Sequence, residues 1–198
     1  MHDDTISEDT LTAVDIIRSL VETYIDHPEA LVLNVRDYGD QVYFTAQGHS
    51  DDHKRLVGTG GAHVAALEHL VKAMGRARQV VHSFRLLNPE PSGRREDYEE
   101  KDAETHDPEP AEKLLRDLIR AVGIDEVSIV VSMRSLPNER PLSYLFQVYT
   151  RTEDDHEALI VSPRNARNGL TAVAAIGTLF RAAARKAGVK YTIEAVKP

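Results

Sequence analysis

The sequence predicts an α+β protein made of two α-β-β-α-α-β modules in tandem. Three observations predict it. An acidic, proline-rich stretch divides the chain at 88–110, the segments on either side are nearly equal at 87 and 88 residues, and each reads as the same order of elements.

In the first module, 1–87, apolar residues at Leu11, Val14, Ile17, Leu20, Val21 and Tyr24 have helical spacing over 11–25. Ser7 or Thr10 is placed to cap this helix, and His27-Pro28 ends it. Leu31, Leu33 and Val35 alternate as a strand. Tyr38-Gly39-Asp40 supplies a turn, and 42–46 forms the second arm of a hairpin. Ser50-Asp51-Asp52 opens a short helix to Val57, with Ser50 as its cap. Gly58-Thr59-Gly60-Gly61 follows, and then a longer helix over 62–76 that buries Val64, Leu67, Leu70, Val71 and Met74. A last strand covers 80–86.

The stretch 88–110 contains four prolines and no apolar periodicity. Such a composition buries too little apolar surface to offset its ordering entropy, so an extended, self-repelling linker is expected. In the second module, 111–198, a helix is expected over 112–122 and a hairpin over 127–133 and 142–149, turning at Pro137-Asn138. A short helix over 153–160, the loop Val161-Ser162-Pro163-Arg164, a long helix over 165–187 and a strand over 189–196 complete it. Leu67 and Leu70 stand six and nine residues past Gly61, and Leu170 and Val173 stand six and nine past Arg164, so the two long helices are expected to share a register.

The run 52–67, with its Gly58-Thr59-Gly60-Gly61 turn, resembles the short helix, GxxG loop and following helix of bacterial single-KH proteins. Leu20-Val21-Glu22-Thr23-Tyr24-Ile25-Asp26-His27-Pro28-Glu29 is similar to the end of their opening helix. The resemblance covers most of 10–87 and implies the type II, prokaryotic KH topology. It also implies a function: single-stranded RNA held at the GxxG loop. The physics of the turn agrees. Gly58 and Gly61 let a backbone approach without Cβ atoms in the way, and the loop runs into a helix N-terminus that favours an anion.

Two departures from the family pattern bear on the site. Thr59 and Gly60 stand where many KH loops carry a cation, and Lys54 and Arg55 are the nearest substitutes. The second module has no loop glycines, and Pro163 removes an N–H donor, so its loop is degenerate. Its Arg164, Arg167, Arg181, Arg185 and Lys186 nevertheless offer phosphate contacts. Each residue has a plainer reading. The glycines make a tight turn between helices, Lys54 and Arg55 are solvated, and Arg164 and Arg167 pair with the acids near 153–157. His63, two residues past Gly61, is a further candidate RNA contact, and His63 and His69 are expected on the exposed or edge face of their helix.

Composition narrows the function. There is no cysteine, so disulfides, thiol nucleophiles and cysteine-ligated zinc are excluded. No stretch approaches the length of a membrane span, and Met1-His2-Asp3-Asp4 is acidic where a signal peptide is basic. A cytoplasmic location is expected. The net charge of −8 argues against gripping long duplexes. Residues 1–87 carry 8 basic and 13 acidic side chains, 88–110 carry 3 and 9, and 111–198 carry 13 and 10. His49 and His53, with Asp51 and Asp52 between them, are metal-binding types, but Ser-Asp-Asp is better suited to a helix cap. Neither a metal nor a cofactor is expected. HExxH, GxSxG, Walker and Rossmann motifs are absent from the sequence, so no enzyme is expected. The expected function is non-catalytic binding of single-stranded RNA, ribosomal or small, with the modules packing on one another or the chain pairing as a homodimer. The alternative is a protein–protein adaptor with a KH fold and no nucleic-acid ligand.

Overall fold

A computed structural model describes residues 6–89, 106–134, 141–161 and 170–198. It is an α+β structure with two three-stranded mixed sheets. The first 89 residues run α1 (Glu8–Glu22), β1 (Val32–Asp37), β2 (Gln41–Gln47), α2 (His53–Val57), α3 (Ala62–Ala77) and β3 (Val81–Leu86). The rest runs α4 (Glu109–Ala121), β4 (Val127–Met133), β5 (Ser143–Thr150), α5 (Glu153–Ile160), α6 (Ala172–Lys186) and β6 (Lys190–Val196). In each sheet the hairpin is antiparallel and the last strand joins the middle one in parallel, with Val35, Phe44 and Phe84 in one row and Val131, Phe146 and Ile193 in the other.

Local chemistry sets the boundaries. Ser7 caps α1, its Oγ accepting the Thr10 N–H at 3.2 Å, and the Thr10 hydroxyl donates to Asp37 at 3.1 Å, which ties the helix to the hairpin. The hairpin turns at Gly39, in the left-handed region at φ 84°, with its N–H on the Asp37 carboxylate at 2.8 Å. Strand β2 buries Val42, Phe44 and Ala46 and turns Gln41, Tyr43 and Thr45 outward, the period of two expected of a sheet with one covered face.

Helix α3 is buried on more than one side. Leu67, Leu70, Val71 and Met74 are almost wholly inaccessible, and Ala66, His69 and Ala73 are buried as well. The reason is α6, which packs along it and buries its own Ala175, Ile176, Leu179, Phe180 and Ala184. Helices α1 and α4 also meet, and one apolar core runs through both halves of the chain. The Lys186 ammonium donates to the carbonyl of Ile25 across that boundary.

Three expectations are corrected. The long helix of the second half begins at Ala172, not 165, with Thr171 Oγ1 accepting the Ala174 N–H at 3.1 Å. Leu170 therefore precedes the helix, whereas Leu67 lies inside α3, and the proposed shared register fails. His69 is buried rather than exposed, because α6 packs along α3. Of the expected linker, Glu109 and Pro110 already belong to α4, and His106 packs against the rings of Tyr144 and Tyr191, its carbonyl accepting the Tyr144 hydroxyl at 2.8 Å. Most of the linker, the turn at Pro137-Asn138 and the loop positions 162–164 lie outside the described residues. No helix among the described residues is long and apolar enough to cross a membrane.

Candidate nucleic-acid interface

The turn between α2 and α3 is set by Gly58. It takes φ 72° and ψ 170°, a backbone conformation open essentially to glycine alone, and its N–H closes α2 on the carbonyl of Lys54 at 2.9 Å. A Cβ at this position would stand 2.6 Å from the ring of His63 and 2.8 Å from its backbone nitrogen. His63 is therefore a structural residue before anything else. Its Nδ1 lies 2.5 Å from the Arg55 carbonyl, which can only accept, so Nδ1 carries the proton. The same ring meets Tyr24 edge-on at 5.5 Å. Burial pushes the Tyr24 phenol well above its ordinary range.

The remaining loop amides divide into two groups. Gly61 donates to the Gly58 carbonyl at 3.1 Å, and Ala62 donates to Thr59. The amides of Thr59 and Gly60 have no acceptor among the described residues, and both residues are exposed. Gly60 and Gly61 are left-handed at φ 62° and 82°, with no other heavy atom within 4 Å of where a Cβ would stand. The two donors therefore open outward at the start of α3, whose first turn has no side-chain cap. Only half of the four-residue turn offers free donors, fewer than its glycine content suggests.

The expected cations fare unevenly. Lys54 is exposed. Arg55 forms an ion pair with Asp26 at 3.0 Å, so its charge is largely committed to a carboxylate. Lys186 is engaged with Ile25, and Arg181 donates to Thr178 at 3.2 Å. Arg164 and Arg167 lie outside the described residues.

Ser50-Asp51-Asp52 does not cap α2 as expected. Asp52 is the cap residue, but its side chain makes no capping bond. Its carboxylate, wholly buried, instead accepts the N–H groups of Asp26 and His27, each at 2.8 Å, and lies 3.1 Å from His27 Nδ1. This clamp ties the end of α1 to the start of α2 and so positions the loop. Asp26-His27-Pro28 was its visible signal, but the partner 25 residues away was not legible. His49, considered beside His53, stacks on His27 with centroids 4.2 Å apart. Comparison with known proteins finds no family model, curated protein or solved structure that matches this chain.

Proposed function

We propose that the chain is a non-catalytic, KH-type binder of single-stranded RNA, with the sugar–phosphate strand passing over the turn at Gly58, Thr59, Gly60 and Gly61. The observation that carries this reading is the pair of amides at Thr59 and Gly60, without an acceptor among the described residues, at a helix N-terminus that no side chain caps among those residues. Two N–H donors and the helix dipole suit one phosphate. Lys54, one turn earlier, adds a cation within the same region. Because Arg55 is paired with Asp26, charge contributes little, and both affinity and salt dependence are modest.

The site is best tested where substitution spares the fold. Gly58 is unsuitable because any side chain there strikes His63. Thr59→Asp with Gly60→Asp places two carboxylates at the free amides; the space is open, and the left-handed φ of 62° at Gly60 adds a strain of about 1 kcal/mol that an aspartate, which visits this region more readily than most residues, can bear. The double variant, folded by circular dichroism, loses binding to single-stranded RNA by about tenfold or more, equivalent to about 1.4 kcal/mol. Unchanged affinity removes the turn as the site.

A second reading, a protein–protein adaptor with no nucleic-acid ligand, is favoured by the outer face and edges of the first sheet. Val32, Tyr38, Tyr43 and Val81 are all exposed there. Under that reading neither the wild type nor the double variant binds RNA.

A further inference from the structure

We propose that His27, His49 and Asp51 form an open site for a zinc-class divalent cation. One ligand atom from each lies within 4.8 Å of the other two. They come from separate parts of the chain: His27 follows α1, and His49 and Asp51 sit in the loop between β2 and α2. The fold brings them together, because the buried Asp52 carboxylate holds both segments in place.

The same carboxylate orients one ligand. Asp52 Oδ2 faces His27 Nδ1 at 3.1 Å, and an ionised carboxylate can only accept, so the ring proton sits on Nδ1 and the Nε2 lone pair is left for an ion. A carboxylate behind a histidine ligand is the usual outer-shell arrangement of zinc sites, fixing the tautomer and strengthening the nitrogen as a donor. His49 contributes a second imidazole, with its Nδ1 3.7 Å from Asp51 Oδ2. That nitrogen also accepts the Asp51 N–H at 3.3 Å. The single lone pair of that nitrogen is used by this long bond, so an ion either displaces the Asp51 N–H or takes His49 Nε2.

The donor set selects the ion. Two imidazoles and one carboxylate suit zinc, nickel or copper, and disfavour magnesium and calcium, which take oxygen ligands. Bonds of about 2.0–2.1 Å set tetrahedral ligand atoms about 3.3 Å apart, so the cluster must contract by about 1.5 Å. Asp51 is exposed and His49 half-buried in a connecting loop, where side-chain rotation supplies that movement. Three protein ligands leave a fourth position for water. This inference is independent of the RNA reading.

The test uses the full-length protein, free of any affinity tag and stripped of metal, titrated with Zn2+ by calorimetry and with Co2+ by visible absorption. One equivalent of each binds, and Co2+ develops the intense bands of tetrahedral coordination. His49→Ala and Asp51→Asn each weaken binding by about tenfold or more while circular dichroism is unchanged. His53→Ala, adjacent in sequence but outside the cluster, leaves it unaltered. Absence of binding to the wild type overturns the proposal. So does equal affinity in both His49→Ala and Asp51→Asn, or a loss in His53→Ala as large as theirs.

Discussion

Asp52 and His27 are joined twice: the buried carboxylate accepts the His27 backbone N–H at 2.8 Å and faces its ring nitrogen at 3.1 Å, and it also accepts the neighbouring Asp26 N–H at 2.8 Å. Removing the acceptor leaves two backbone donors unsatisfied in a partly buried place. Each costs about 1–3 kcal/mol. Asp52→Ala therefore destabilises the protein by about 3 kcal/mol, which for a chain of this size lowers the melting temperature by about 6–12 °C. Thermal unfolding checks this, and a shift within 2 °C contradicts the clamp.

Tyr24 presents the opposite case. Its ring is fully buried, and its hydroxyl has no partner among the described residues. A buried hydroxyl without a hydrogen bond is a cost, so Tyr24→Phe stabilises the fold by about 1 kcal/mol while keeping the edge contact with His63. Urea unfolding of the two proteins measures the difference. A clear loss of stability means that the hydroxyl is bonded.

Stability also depends on pH through His69 and His82. Burial lowers both imidazoles, with Arg76 and Lys72 adding to the effect at His69 and Arg78 at His82, where Asp37 opposes it. Both rings titrate near about 6.5 in the unfolded chain. Below that pH the unfolded chain takes up protons that the folded chain resists. The two rings thus cost nothing above about pH 7 and weaken the fold as pH falls through 6.5. The urea midpoint drops between pH 7.5 and pH 5.5, and His69→Gln and His82→Gln each flatten the slope. Slopes unchanged in both variants contradict this assignment.

Much of the architecture was legible because its signals are local. The alternation of Leu31, Leu33 and Val35, the turn at Gly39 and the apolar spacing from Leu67 to Met74 are each local to one short segment, and each is found as read. Errors arose where a distant segment decides the outcome. His69 reads as a surface residue of a single module, and only the packing of α6 along α3 buries it. The helix expected over 165–187 begins at Ala172, because Thr171, a residue type suited to a cap, is extended and caps it. At the candidate site, the glycines marked the turn correctly. What they could not convey is that Gly58 and Gly61 spend their own amides on the turn, and that Asp26 engages Arg55.

The account rests on RNA lying against the α2–α3 turn, and the direct test is to locate the contact. Ultraviolet crosslinking of the wild-type protein to a uridine-rich single strand, followed by mass spectrometry of the peptides, reports where the strand sits. The account predicts adducts concentrated on 53–63, and their loss in the Thr59→Asp, Gly60→Asp double variant. Adducts confined to other segments, such as the exposed Tyr38 and Tyr43 of the first sheet, or none at saturating RNA, contradict it.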